Sequence, residues 1–458
     1  MDATKESKRM DMLHGRLLGK LLIFALPLAV SSILQQLFNS VDVAVVGKFV
    51  SSQEQAAVGC NGPVINLMIN LFVGISVGAN VVIANYIGQQ DEKKIKDAVH
   101  TAMTIAMISG IFLLVLGILI ARPVLIWMHT PSDVLKYAVV YLKIYFLGMP
   151  FIMVYNFGAA ILRSIGDTRR PLYCLVLSGV INAGLNLFLV LVFRLGAAGV
   201  AIATVISNVI SAGMIWYYLS HESEPIRLSY KKLKISKREL VNILRIGVPA
   251  GLQGMVFSFA NVCIQTALNG LGSDAVAGSA VALNFEYFTY FVLGAFNQAA
   301  VTFTSQNFGA KQYERCKRIF LFCMVLGMLI TGSMSMTFVL GREFFVTLFT
   351  SNPVVAEYAK IRMMHILAFN FIAATFEVGG ASLRGIGHSM MPAVITIFGT
   401  CVFRILWIYT IFKRFPDFET LMSVYPVSWL ITGAAVLAAY FMIRRKAFSE
   451  RTEIRISE

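Results

Sequence analysis

The sequence predicts an all-α membrane protein of twelve spans in two six-helix lobes, and three observations carry that prediction. Of its 458 residues 57% are hydrophobic and only 14% charged, with a mean hydropathy of +0.73. A soluble domain carries roughly 25% charged residues, so the deficit decides the class. Apolar runs of about 20 residues, each long enough to cross a bilayer as a helix, recur along the whole chain. The two halves of the chain also repeat each other at a fixed offset.

The runs lie near 21–47, 56–86, 98–121, 137–162, 171–193 and 197–219 in the first half. In the second half they lie near 243–268, 275–306, 319–340, 354–383, 391–412 and 427–443. Pro27 and Pro249 sit early in the first span of each half, where a proline removes a backbone hydrogen bond and can kink the helix. "FVGISVGAN" (72–80) in the second span has glycines four residues apart, the spacing of close helix packing. "AAILRSIGDTRRP" (159–171), after the fourth span, matches "GASLRGIGHSMMP" (380–392), after the tenth, at an offset of 221 residues. "NYIGQ" (85–89) and "QNFGA" (306–310) keep the same shift. An ancient duplication is the economical reading.

Six spans per repeat is an even number, so both repeats start on the same side and are related by a pseudo-two-fold axis along the membrane normal. The domains expected are 1–220, a basic connector 221–242, and 243–458 with a short tail. The connector reads as a short helix lying on anionic headgroups, or as a solvated linker. Of the 39 Lys and Arg, 28 fall on every second connection, which puts both termini in the cytoplasm of a cell-membrane protein. The net charge of +15 is thereby an orientation signal, and nucleic acid is not expected as a partner. The first apolar run is too long for a cleavable signal. Six scattered cysteines and the absence of CxxC or HxxxH argue against disulfides, a structural metal or a cofactor.

Three acids lie inside apolar runs: Asp42, Glu286 and Glu377. An ionised carboxylate there costs several kcal/mol unless it is paired, protonated or facing a wet cavity. Gln35, Asn39 and Asp42 fall four and three apart and so share one helical face. Ser178, Asn182 and Asn186 do the same in the fifth span, and Thr204, Asn208 and Ser211 in the sixth. Three such stripes can converge on one interior, where carboxylate, amide and hydroxyl oxygens suit Na+ or a proton. Interhelical hydrogen bonding alone is the plainer use of the same residues.

The early proline, "VDVAVVG", "NYIGQ", "LRSIGDTRRP", "NAGLN" and "GAAGVAIAT", in that order over nearly the whole chain, resemble the multidrug and toxic compound extrusion (MATE) family of secondary transporters. The resemblance implies two lobes around a V-shaped central cavity. It also implies a monomer exporting small organic, often cationic or amphipathic compounds by alternating access, driven by inward H+ or Na+. It assigns cation coupling, including a Na+ site at Asp42, to Asp42, Asn182, Asn186 and Thr204; the stripe residues Gln35, Asn39 and Asn208, read from spacing, stand in support. Asn186 departs from the aspartate often found there, which leaves one negative charge in the cluster. Glu286 and Glu377 fall in the spans where other members bind substrate or proton in the C-terminal lobe.

The alternative within the same superfamily is a flippase of lipid-linked saccharides, which needs cavity cations for pyrophosphate; Lys143, Arg362 and Arg404 are the candidates. An intramembrane aspartyl protease needs two facing aspartates and a metalloprotease needs HExxH, and neither pattern is present. A passive channel could use the polar stripes. The duplication favours two rocking halves instead.

Overall fold

The computed structural model describes residues 10–128 and 130–453. Its first half runs through α1 (Leu17–Phe49), α2 (Ser52–Gln89), α3 (Glu92–Trp127), α4 (Ser132–Leu147), α5 (Met149–Ser164), α6 (Arg169–Leu187) and α7 (Gly196–Ser220). The second half runs through α8 (Lys237–Asn269), α9 (Ser273–Gly309), α10 (Tyr313–Leu340), the short α11 (Arg342–Thr347), α12 (Pro353–His365) and α13 (Ala373–Gly385). It ends with α14 (Met390–Thr396), α15 (Phe403–Trp407) and α16 (Phe418–Glu453). Among the described residues, eleven helices are long and apolar enough to cross a membrane. The pair α4 and α5, bent by 48°, brings the number to twelve when counted as one broken span.

Helix ends follow local chemistry. Ser51 and Asp91 cap α2 and α3 by accepting the backbone N–H of Glu54 and Lys94 at 3.2 and 3.1 Å. Glu54 also caps at a distance: its carboxylate accepts the Ala197 N–H at 2.6 Å, where the positive end of α7 favours it. The duplication reappears in the turns. Gly166 and Gly387, at the matched LRxIG sites, both take the left-handed conformation (φ 87° and 91°). The following residues, Asp167 and His388, donate back to Leu162 and Leu383 in the same helix-ending pattern. Gln90 and Lys311, also 221 residues apart, are both left-handed at φ 59°. A π-helical turn closes α6 (Phe188–Val192), and a matching one follows α15 (Ile408–Phe412).

The chain forms two compact units, whose bounds differ from the repeat boundaries. Among the described residues, one holds 10–11 and 30–251, the other 12–29 and 252–453. In both cases the division falls two residues after the proline, so α1 and α8 each belong partly to one unit and partly to the other. Both helices run unbroken through Pro27 and Pro249.

In the first unit, α2 meets the start of α8 through glycines. A Cβ at Gly74 would lie 2.2 Å from Gly251, and one at Gly251 would lie 2.3 Å from the Leu71 carbonyl. Lipid supplies no hydrophobic drive between helices, so backbone approach of this kind is what holds spans together. The glycines of "FVGISVGAN" are packing residues. In the second unit, Phe24 packs edge-on against Phe303 at 5.3 Å, and Phe285 centres a cluster with Val339, Val346, Ala359, Met363 and Leu367. Large apolar side chains such as Leu119, Trp127 and Tyr409 remain exposed, as lipid-facing positions do.

The interfacial helix expected in the connector is not formed. Residues 221–236 make one 3-10 turn (Tyr230–Lys232), and helix resumes at Lys237. The stretch is instead tied to its own unit. Glu222 pairs with Arg170 at 2.7 Å, Glu224 with Lys96 at 2.9 Å and Lys234 with Asp97 at 2.9 Å. Its backbone donates from Ser229 to His100 and from Ser236 to Thr101. Partners on α3 satisfy groups that a free helix would leave to water or headgroups.

Candidate functional site

In the first unit α1, α6 and α7 bring their polar stripes together. Asn186 donates to the Asp42 carboxylate at 2.5 Å and also to the Asn182 side-chain oxygen at 3.2 Å. Asn182 donates to Thr204 Oγ1 at 3.4 Å. The Thr204 hydroxyl lies 3.5 Å from the other Asp42 oxygen and 2.9 Å from the Val200 carbonyl. Asp42 is 8% exposed and Asn186 fully buried. The Asn186 Oδ1 is buried without a hydrogen-bond partner. The Asp42 carboxylate, the Asn182 amide oxygen and the Thr204 hydroxyl, from three helices, are thus gathered around the Asn186 amide, with the carboxylate as the one charged group. Such a group can take up a hard cation or a proton.

This cluster forms one wall of a cavity of about 370 Å³, lined by Gln35, Asn39, Asp42, Asn182, Thr204 and Asn208 among others. Asn186 lies behind that wall. Reading the sequence missed Asn66 and Asn70 of α2, Tyr145 of α4, Tyr155 and Asn156 of α5, and Ser207 of α7, which line it too. Asn66 and Asn70 are four apart, so the same helical spacing would have found them. The tyrosines carry no signal that separates them from core aromatics.

The second unit is organised differently. Glu286 is not a free charge: Arg362 grips it through two N–H bonds of 2.6 and 2.9 Å. The same guanidinium donates to Ser279 at 2.5 Å. Glu377 accepts from the Asn297 amide, which also reaches its backbone carbonyl at 3.2 Å. Arg384, of the repeated LRxIG motif, donates to Gln253 at 3.1 Å. Nothing in the sequence marks Arg362 as the partner of Glu286, because 76 residues separate them.

The MatE family model matches this chain twice, over residues 27–188 and 249–410. The chain belongs to the MatE family. The two matches start one residue away from the offset seen in the LRxIG repeat, so each half carries one copy of the unit. Among MatE relatives, the Bacillus subtilis probable multidrug resistance protein YoeA is 28% identical over 82% of this chain and 83% of its own length. The Thermotoga maritima probable multidrug resistance protein NorM is 26% identical, covering 86% of each chain. The Staphylococcus aureus multidrug export protein MepA is 23% identical over 88% of this chain and 92% of its own. A MATE crystal structure in a bent conformation is similar at a TM-score of 0.89, with 20% identity over 96% of this chain and 98% of that one. An outward-facing multidrug resistance MATE transporter is similar at 0.88, with 21% identity over 95% and 98%. That likeness establishes the two-lobe fold. As a member of the MatE family the chain is a multi-pass membrane transporter and not an enzyme.

Proposed function

We propose that this transporter exports small amphipathic organic compounds in exchange for H+ or Na+, and that the ion binds at Asp42. The observation that carries the reading is the polar cluster of Asn182, Asn186 and Thr204 around the Asp42 carboxylate on the wall of a polar cavity. The names of the relatives, multidrug resistance and multidrug export proteins, support the substrate class.

The chemistry follows from the single charge. Ionised Asp42 is stabilised by the Asn186 amide and the Thr204 hydroxyl, but it lies in a setting where charge is costly. A proton taken up there neutralises the cluster outright. A Na+ ion would find the Asp42 oxygens, the Asn182 and Asn186 amide oxygens and the Thr204 hydroxyl as hard ligands. Either ion removes the net negative charge and changes which packing of α1 is favoured, so ion binding and substrate release are linked through one population shift. Dissociation of the ion into the cell resets the cycle. Of the cations that the flippase reading asks for, Arg362 is paired with Glu286, whereas Arg404 has only neutral hydrogen-bond partners.

The test is Asp42→Asn. The variant copies the neutral form and keeps the size, so it should fold and bind dye yet lose efflux driven by either gradient. Asp42→Glu should keep part of the activity. The measurement is dye efflux from vesicles with Na+ and pH gradients imposed separately, normalised to folded protein. Wild-type efflux in Asp42→Asn, with an unchanged response to both gradients, would sink the mechanism.

A further inference from the structure

Three guanidiniums are buried in the second unit, and among the described residues only Arg362 has a carboxylate within ion-pair distance. Arg362 is neutralised by Glu286, and Arg384 donates to Gln253 near the Glu377 side of α13. Arg404 is fully buried, yet its Nε meets only the Ser428 hydroxyl at 3.2 Å and its Nη1 only the Asn261 amide oxygen at 3.3 Å. Its Nη2 is buried with no hydrogen-bond partner, and among the described residues no carboxylate lies within ion-pair distance. Two rings lie against the cation, Tyr425 at 4.4 Å and Phe257 at 5.3 Å. Arg362, its charge balanced by Glu286, also lies over the Tyr425 ring, at 5.6 Å. Neutral acceptors and aromatic faces recover only part of the cost of burying a guanidinium, which is several kcal/mol.

The backbone at Arg404 is also unusual. The five residues of α15 stand between π-helical turns at Ile397–Val402 and Ile408–Phe412, a distortion frequent at functional sites. The route to the cation is short: Asn261 is exposed, and Phe257 and Tyr425 are half-buried. The paired Nη1 and Nη2 edge is the part of the fork that holds a carboxylate with two parallel bonds. One of those donors is free, and the other is held by a long bond to a side chain that can swing aside.

We propose that Arg404 is an anion subsite, which takes the carboxylate of an amphipathic acid or zwitterion while Asn261 gives way. The inference rests on the transport reading above and specifies its substrate class. The second unit then selects for an acidic group, while the first unit handles the coupling ion. A bound carboxylate supplies the missing counter-charge.

The experiment uses the full chain, reconstituted in phosphatidylcholine alone so that no anionic headgroup competes. The probes are rhodamine B, which carries a free carboxylate, and its ethyl ester, which does not. Binding is read by fluorescence anisotropy and export by dye movement under an imposed gradient. Arg404→Gln should lower the acid-to-ester affinity ratio about tenfold, the worth of a lost charge-assisted bond. Asn261→Ala should raise the same ratio, since it uncovers the guanidinium; this variant answers the question even where Arg404→Gln fails to fold. An unmoved ratio in folded Arg404→Gln, or a ratio that is unmoved or falls in Asn261→Ala, overturns the inference while wild-type export of the ester leaves the transport reading standing. If wild-type protein moves neither dye under any gradient, the transport reading fails and takes the inference with it. Recovery of the effect only when phosphatidylglycerol is added would assign Arg404 to a lipid phosphate and overturn the substrate role.

Discussion

Glu286→Gln separates a structural carboxylate from a substrate-binding one. The Glu286 side chain is 14% exposed and that of Arg362 only 4%, and two bonds of 2.6 and 2.9 Å join them. Glutamine has nearly the same shape, but one of its two terminal atoms is a donor that would face the donors of Arg362. The substitution therefore removes the counter-charge and at least one of the two bonds, and leaves the guanidinium with the Ser279 hydroxyl. Breaking a buried pair from one side costs about 3–5 kcal/mol, because the surviving charge stays desolvated. Replacing both partners by uncharged groups avoids most of that cost. Thermal unfolding in detergent should accordingly show a large drop for Glu286→Gln, a similar one for Arg362→Met, and substantial recovery in the double variant. Dye export per folded molecule should fall for cationic and neutral dyes alike. A Glu286→Gln protein with wild-type stability and a selective loss of cation export would refute this reasoning and return Glu286 to substrate binding.

Gly251→Ala should destabilise the first unit by about 1–3 kcal/mol, since its Cβ would press on the Leu71 backbone, whereas Gly213→Ala, with open space around it, should be neutral or slightly stabilising; equal melting temperatures would count against the close helix contact. Lys96 holds the Glu224 carboxyl below its usual range, so this pair stabilises the connector at neutral pH and its contribution fades as pH falls through the lowered folded value. Both partners are well exposed, which limits the effect to under about 1 kcal/mol. Hydrogen exchange of residues 222–229 should lose that acid sensitivity in Lys96→Met, and an unchanged pH profile would remove the pair from the account. Cysteines placed at Ser51, Ser132 and Asp417 should react with an impermeant label on intact cells, and those at Lys94, Lys232 and Ser449 only after permeabilisation. The reverse pattern would overturn the orientation drawn from the basic loops.

The sequence by itself determined what is local or periodic. Span positions follow from hydropathy, because a bilayer demands about 20 apolar residues per helix whatever the neighbours are. The repeat at LRxIG announced two equivalent turns, and Gly166 and Gly387 share one backbone conformation, since only glycine takes it without strain. The stripes through Asn39 and Asp42, Asn182, and Thr204 and Asn208 were legible because residues three and four apart must share a helical face. Tertiary structure alone decided what crosses between helices. It paired Glu286 with Arg362, left Arg404 without a carboxylate, and added Asn66 and Asn156 to the cavity wall. It also divided α1 and α8 between two compact units just beyond Pro27 and Pro249. Periodicity fixes the face on which a side chain stands. The group it meets depends on helix packing, and in lipid that packing is set by close backbone approach, such as Gly74 against Gly251, which no one segment contains.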